Sequence, residues 1–598
     1  MLDQSASQKA ALWLSGFQDA LSRGDAEEAA GQFAETCFWR DLVAFTWNIV
    51  TLEGRGAIAA MLRDTLPRTH PENWAVEGEA TSADGVVESW ISFETATGRG
   101  KGHLRLKDGK CWTLLTTLSE LKGHEERSGA TRAKGAEHGA VQGRQSWAER
   151  RAQEQTELGT TTQPYVLVIG GGQGGIGLGA RLRRLDVPTI IIDKHDRPGD
   201  AWRNRYKSLC LHDPVWYDHL PYMPFPDHWP VFSPKDKIAD WLEMYTKVME
   251  LNYWTRTECN SARYDEAAGE WVVQVTRDGQ PLTLRPKQLV LATGVSGVAN
   301  KPDFPGMDRF KGTQHHSSQH PGGEAWAGKR CVVIGSNNSA HDICADLWEN
   351  GADVTMVQRS STHVVKSESL MQHGLAGLYS GQAVASGMTT EKADMTFASI
   401  PYRIMHEFQV PVYQRIAEQD ADFYAALDKA GFMHDWGDDG SGLFMKYLRR
   451  GSGYYIDVGA SELIADGRVK LRSGVEVTDI GERSVHLSDG SELPADLIVY
   501  ATGYGSMNGW AARLISPEVA DRVGKCWGFG SATTKDPGPW EGELRNMWKP
   551  TAQPALWFHG GNLHQSRHYS LYLALQLKAR LEGIPTPVFG QGLVHHVH

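Results

Sequence analysis

The stretch Tyr165–Ala180 reads YVLVIGGGQGGIGLGA, and in it Gly170, Gly172 and Gly175 stand in the spacing G-x-G-x-x-G directly after an apolar run. That spacing suits phosphate chemistry. The first glycine permits a tight turn, the second lets backbone approach a pyrophosphate, and the third lets helix and strand pack closely. The following helix, LGARLRRL, aims its first amides and the positive end of its dipole at the phosphates. A second apolar run, VPTIIID, ends in Asp193. A carboxylate there can accept hydrogen bonds from both ribose hydroxyls and would repel a 2′-phosphate. This unit suits the ADP half of FAD or of NAD.

A second copy follows in KRCVVIGSNNSAHDICADLWENGADVTMVQRSS. Gly335 opens the turn, Asn337 holds the middle position, Asn338 and Ser339 follow, and Ala340 takes the last. Asparagine tolerates left-handed backbone, which is the expected reason for its place here, and alanine is small enough for close packing. The strand of this copy ends at Arg359, beside Ser360 and Ser361, with no acid. A guanidinium flanked by hydroxyls can clamp a 2′-phosphate, which points to NADPH. The simplest assignment puts FAD in the first unit and NADPH in the second. Two near-identical strands, LVLATG at 289–294 and LIVYATGYG at 497–505, mark where a chain passing between nested domains would cross. Their Thr293, Thr502 and Gly503 are expected to lie beside cofactor.

These motifs need elements to hold them. The chain has 598 residues, 41% hydrophobic and 22% charged, enough for several cores and unlike a disordered protein. A net charge of −11 offers no basic field for nucleic acid or anionic lipid. The seven cysteines are dispersed without a CxxC pair, so neither a dithiol centre nor a zinc site is expected, and no metal ligand set is assigned. The start, MLDQSASQKAALWLSGF, lacks a basic segment followed by a long apolar core, and no window reaches about 18 uncharged apolar residues. The expectation is a cytoplasmic protein with a small-molecule substrate, with homodimerisation left open.

Along the chain, residues 1–121 read as helices followed by strands. Residues 122–162 read as a polar linker whose SWAERRAQEQTEL part suits a helix lying on the next domain. Strands and helices then alternate to the end, the pattern of parallel α/β sheets. The expected division is a first FAD-binding part at 163–294, an NADPH-binding domain at 295–500 with a helical substrate-side insertion near 370–455, and the final FAD-binding part at 501–598.

The element order of 1–121 resembles the SnoaL-like fold, a cone-shaped α+β module. A packing role, a dimerisation role and a second ligand pocket are all open to it. From Tyr165 onward the chain resembles the flavin-containing monooxygenases and, less closely, the Baeyer–Villiger monooxygenases. The segment FKGTQHH fits the shared F-x-G-x-x-x-H fingerprint through Phe310, Gly312 and His316, and ATGY at 501–504 is another shared mark. The blocks GDAWRNRYKSLCLH and LPYMPFPDHWPVFSPKDKIADWLEMY resemble the plant indole-pyruvate monooxygenase branch. Together with the N-terminal extension they resemble type II flavin-containing monooxygenases. His320 stands where an aromatic residue is more usual, a departure that bears on substrate rather than on reaction class.

The resemblance implies two nested Rossmann-like domains and reduction of FAD by NADPH, with NADH as a further donor. It implies oxygen addition at the flavin C4a atom, then transfer to a ketone in Baeyer–Villiger oxidation or to sulfur or nitrogen. Oxidative decarboxylation of an indole-pyruvate-like acid stays open. In this reading Trp202, Arg203 and Arg205 lie near cofactor phosphates, and His212 lies beside the flavin. His316 is structural or couples domain motion to catalysis, and the turn ending at Asn562 offers amides to the flavin's pyrimidine edge. A disulfide reductase lacks its CxxC here. A flavin-loaded ligand sensor remains the rival from another class.

Overall fold

The computed structural model describes residues 5–136, 138–295, 297–527 and 543–592. Helix α1 (Ala6–Ser22) begins at a capping box, in which Ser5 and Gln8 each satisfy the other's amide with a side chain. With α2 (Gly54–Thr69) it lines a curled sheet of β1 (Phe33–Leu42), β2 (Ile49–Glu53), β3 (Glu72–Ala83), β4 (Val86–Glu94), β5 (Gly98–Lys107) and β6 (Lys110–Leu121). The strand order is β2-β1-β6-β5-β4-β3, antiparallel throughout except for the β1–β6 pair. Aromatic rings fill the space between helices and sheet. Trp13, Phe17, Phe33, Trp39, Phe45, Trp74 and Phe93 are all buried and in mutual ring contact. Trp39 has no exposed surface, and its indole donates to Thr116 Oγ1 at 2.8 Å.

In the linker, Trp147–Glu157 is helical and lies on the next domain, with Glu154 receiving Arg183 at 2.5 Å and the Asn252 amide at 3.0 Å. Two parallel five-stranded sheets follow. The first combines β7 (Val166–Ile169), β8 (Thr189–Ile192), β9 (Tyr253–Trp254), β10 (Gln288–Leu291) and a last strand, β16 (Leu556–Phe558), in the order β16-β10-β7-β8-β9. The second combines β11 (Thr313–His316), β12 (Arg330–Ile334), β13 (Asp353–Gln358), β14 (Lys470–Ser473) and β15 (Leu497–Tyr500), in the order β11-β15-β12-β13-β14. Strands β7, β8, β10, β15 and β16 are buried at every residue, which is why they read as unbroken apolar runs. The second sheet is thus inserted between strands of the first, as two nested Rossmann-like domains require. Helices α3 (Gln173–Arg184) and α5 (Asn338–Glu349) follow the two glycine turns, and α4 (Lys235–Val248) packs near α3. Between β13 and β15 come the short helices that include α6 (Thr390–Ala398), α7 (Tyr402–Gln419) and α8 (Gly442–Arg450). Helix α9 (Leu563–Leu581) closes the first domain.

The N-terminal domain is fastened to this body. Arg40 on β1 is 1% exposed and meets Glu543 through Nε at 2.6 Å and Nη2 at 2.9 Å. The end of the chain returns to the same domain, where the Phe589 amide donates to Thr46 O and Asn48 Nδ2 donates to Phe589 O at 2.9 Å. No described helix is long and apolar enough to cross a membrane.

Replacing Trp39 by alanine is expected to cost about 3–5 kcal/mol, the usual range for a fully buried tryptophan. Denaturant unfolding followed by tryptophan fluorescence checks it, and a midpoint unchanged from wild type would contradict the aromatic core described above.

Candidate functional site

Both glycine turns are set by one close approach. A Cβ on Gly170 would sit 2.3 Å from the carbonyl oxygen of Ala292, and one on Gly335 would sit 2.3 Å from that of Ala501. Each carbonyl belongs to the alanine of an Ala-Thr-Gly strand end, so the repeated tripeptide does the same work in both units. Gly170 and Gly335 also have φ of 109° and 129°, values open to glycine. A Cβ on Gly175 would meet Gly170 O at 2.0 Å, so the third glycine packs helix α3 onto its own turn. Gly172 differs: a Cβ there meets nothing within 4 Å, which leaves clear space in front of the helix N-terminus.

The middle position corrects the expectation drawn for Asn337. Its φ is −95°, close to the −75° of Gly172, so neither residue is left-handed. The position demands clearance rather than handedness, and asparagine meets that demand. Asn337 Oδ1 accepts from Thr362 Oγ1 at 3.2 Å, and Asn338 Oδ1 accepts the Ile456 amide at 3.0 Å. Ser339 lies in the first turn of α5.

At the end of β8, Asp193 is braced for its task. Oδ2 accepts the Gly171 amide at 2.7 Å, while Oδ1 accepts the His195 amide at 2.9 Å and faces His195 Nδ1 at 2.6 Å. Burial pushes this carboxyl up, but His195 and the amides outweigh it and hold it below the usual carboxylate range. The same hydrogen bond raises His195 against the opposing effect of burial. Thr293 Oγ1 is buried beside the loop without a hydrogen-bond partner. His559 is fully buried against Gly174, and neither of its ring nitrogens has a partner. Buried polar atoms are rarely left unpaired. Orphans flanking a glycine turn with open space fit a dinucleotide that would supply their partners.

Trp202 lies on this rim, where its indole donates to Gln173 Oε1 at 3.2 Å and Gln173 Nε2 reaches Gly561 O at 3.5 Å. Asn562 caps α9, accepting the Gln565 amide at 2.8 Å and donating to Tyr217 Oη at 3.2 Å. Thus Gln173, at a position the glycine motif leaves unspecified, joins the first loop to the closing turn.

Geometry revises two expected roles, those of Arg203 and of the Thr502–Gly503 pair. The Arg203 guanidinium is taken up by protein carboxylates. Its Nη1 donates to Pro198 O and Asp200 Oδ1, both at 2.9 Å, and its Nη2 to Asp240 and Glu243, both at 2.8 Å. Three carboxylates consume the guanidinium, which braces α4 on the turn before it. His316 is 1% exposed and uses both ring nitrogens, Nδ1 with Ser318 at 2.9 Å and Nε2 with Gly503 O at 3.0 Å. Burial also lowers its pKa, and its Nε2 bond ties the end of β11 to the Gly503 turn. Thr502 and Gly503 are spent in that region as well, since Thr502 Oγ1 donates to Asn300 O at 2.5 Å and Gly503 O accepts the Asn300 amide. They lock the crossover, whereas Thr293 stays open. Arg359 is exposed at the end of β13 and pairs with no carboxylate among the described residues.

Where the two units meet, His212 Nε2 lies 3.5 Å from Asp342 Oδ2, which also accepts from Tyr206 Oη at 2.6 Å. Burial lowers the His212 pKa, but Asp342 outweighs it and the net direction is up. Asp213 follows, its carboxyl pushed up to about 6 by burial, with His212 opposing the shift. The hydroxyls of Tyr217 and Tyr447 hold the Asn562 side chain and amide. Asp342 and Tyr447 had no motif to signal them, whereas Tyr206 lies within the block GDAWRNRYKSLCLH and Asp213 directly after it. No group of three or more metal-ligating side chains occurs among the described residues.

Residues 167–413 match the family described as pyridine nucleotide-disulphide oxidoreductases. The indole-3-pyruvate monooxygenase YUCCA1 of Oryza sativa subsp. japonica is 29% identical over 357 residues, covering 59% of this chain and 79% of its own. The probable indole-3-pyruvate monooxygenase YUCCA10 of Arabidopsis thaliana is 29% identical over 390 residues, covering 64% and 91%. The chain is thus similar in sequence to indole-3-pyruvate monooxygenases. In fold, it is similar to OTEMO, solved in complex with FAD and NADP, with a TM-score of 0.50 at 17% identity over 70% of this chain and 85% of that one. All seven cysteines are free, and no CxxC pair accompanies the matched fold.

Gly175→Ala should lower flavin affinity about 10–100-fold, as overpacking of about 1–3 kcal/mol would. The flavin-to-protein absorbance ratio after gel filtration reads this, with circular dichroism controlling for fold. His195 supplies a pH test. Its folded pKa is raised, so its contribution is complete below the unfolded value and is lost as pH climbs through the folded one. The stability margin of wild type over His195→Gln should therefore shrink between pH 6 and 9, which melting curves measure; a constant margin would refute the ion pair.

Proposed function

We propose that the chain holds FAD on its first glycine turn and NADPH on its second, and that it oxygenates ketones in a Baeyer–Villiger reaction. Oxygenation of sulfur or nitrogen is the alternative outcome at the same site. The observation that carries this reading is the charge contrast between equivalent strand ends. A buried, ionised Asp193 suits an unphosphorylated ribose, while an exposed Arg359 without a carboxylate partner suits a phosphorylated one.

Bound FAD, reduced by the nicotinamide, supplies the oxygen activation and transfer. The chain's own residues bind, orient and shield. The first-turn amides of α3 and the clear space before Gly172 receive the pyrophosphate. Trp202, Gln173 and Asn562 frame the rim on which the flavin ring would lie. Asp213, its carboxyl pushed up to about 6 by burial, is the group next to His212 best placed to take up and release a proton.

A carbonyl substrate is supported by the sequence relatives, which are named for indole-3-pyruvate, a 2-oxo acid. Decarboxylation of a 2-oxo acid is therefore the second reading, and it places the same demand on the site: attack at a carbonyl carbon.

The test is anaerobic reduction by NADPH and by NADH, followed by oxygen with cyclohexanone, thioanisole or indole-3-pyruvate, with products identified by mass. A lactone carrying one oxygen from O2 is the expected result. Flavin reduction followed by hydrogen peroxide alone, with every acceptor, would overturn the oxygenase reading. Arg359→Ala should raise the KM for NADPH about 10–100-fold, matching loss of charge-assisted hydrogen bonds of about 1.5–3 kcal/mol. The KM for NADH should stay nearly unchanged; equal losses for both coenzymes would remove Arg359 from the 2′-phosphate.

A further inference from the structure

Among the described residues, a heavily engaged buried cation, Arg40, belongs to a domain that carries none of the cofactor motifs. Besides Glu543, Arg40 donates through Nη1 to Ala398 O at 2.7 Å, and through Nη2 to Tyr402 Oη at 3.2 Å and Tyr569 Oη at 3.1 Å. A second arginine of the same sheet, Arg105 on β5, is 3% exposed and donates to Ser399 O at 3.2 Å. Residues 398–402 are the corner between α6 and α7. The last carbonyls of a helix have no partner within it and carry the negative end of its dipole. Pro401 prevents α6 from continuing to satisfy them. Two buried guanidinium groups from the N-terminal domain therefore cap α6 at the point where its own hydrogen bonding ends.

Helix α6 reaches the cofactor rim through its other residues. Asp394 forms a two-point pair with Arg567, at 2.9 and 2.7 Å, and lies 3.3 Å from His564 Nε2. Arg567 in turn donates to the carbonyls of Tyr217 and His219, at 2.6 and 2.7 Å. The Tyr217 ring stacks on His564 at 4.6 Å, and its hydroxyl accepts from Asn562. A continuous set of bonds thus runs from β1, through the α6–α7 corner, to the turn that precedes α9. Around this centre the contact is widened by Lys101–Glu391 at 2.7 Å and by the Trp112 ring stacked on Phe408 at 6.1 Å.

We propose that the N-terminal domain is a clamp acting in cis on the substrate-side insertion. In this role Arg40, assisted by Arg105, is a positioning residue that fixes the α6–α7 corner and through it the Asp394–Arg567 pair beside the cofactor rim. The clamp itself rests on geometry; its effect on turnover rests on the oxygenase reading given above.

The test uses the full-length holoenzyme. Arg40→Met alone strands Glu543 as an unpaired buried charge, so the informative protein is Arg40→Met/Glu543→Leu, which removes both charges and leaves the Ala398 carbonyl uncapped. Limited proteolysis read by mass spectrometry should show cleavage within 390–419 accelerated about fivefold or more, the scale of one or two lost hydrogen bonds. The share of NADPH oxidation that ends in oxygenated product should fall at least about threefold, because a displaced insertion no longer orders the acceptor or excludes water. Arg40→Lys should recover part of both. A merely structural role would lower the active fraction and leave that share unchanged. If the double variant does not fold, Lys101→Ala/Trp112→Ala loosens the same contact from its edge and should move both readouts in the same direction. Folded variants with wild-type cleavage and wild-type coupling overturn the clamp. If wild type oxidises NADPH but oxygenates nothing, the functional reading fails instead, and the cleavage pattern alone decides the clamp.

Discussion

At the head of both glycine turns a backbone oxygen from a neighbouring strand end occupies the volume where a side chain would begin. Ala292 O lies over Gly170 and Ala501 O lies over Gly335. Each contact presses the end of a parallel strand onto the neighbouring strand's turn, so β10 stands beside β7 and β15 beside β12 with their carboxyl ends level. A crevice outside the carboxyl ends of such strands is where ligands of open α/β sheets bind. Helix N-termini, the acid at the end of β8 and the arginine at the end of β13 are all positioned relative to those two contacts.

Much of the arrangement was readable because it is local. Glycine spacing, a strand before it and a helix after it, and the charge at the next strand's end all lie within a short window. Asp193 and Arg359 could be picked out for that reason, and the paired Ala-Thr-Gly ends announced the nesting. Reading by residue type failed where distant partners decide the outcome. Arg203 looked like a phosphate ligand, but Asp240 and Glu243 arrive from α4 and take it. Thr293 and Thr502 sit in the same tripeptide, yet Asn300 engages the second and nothing engages the first. The Asp394–Arg567 pair joins residues 173 apart, and neither sits in a motif.

Buried carboxylates show how far context governs chemistry. Asp394 is driven up by burial, yet Arg567 and His564 overcome that effect and keep it well below the usual range. Asp213 has no such cation bonded to it and is pushed up to about 6, and burial raises the neighbouring Asp218 as well. Cations thus hold one acid ionised, while burial favours the proton on the others. Asp394 belongs to the framework and Asp213 faces the junction of the two units.

The distance in sequence between Arg40 and Glu543 is 503 residues, and it gives the molecule a timetable. Ribosomes add about 5–20 residues per second, so the arginine emerges roughly 25–100 s before its carboxylate does. Throughout that interval the N-terminal sheet can assemble around its own aromatic rings, but the face destined for the remainder of the protein stays hydrated. Phe589 and Gly590 then bind back to Asn48. Folding of this chain is thus a closing of the ring, in which a sheet built early waits for residues more than 500 positions later to seal it.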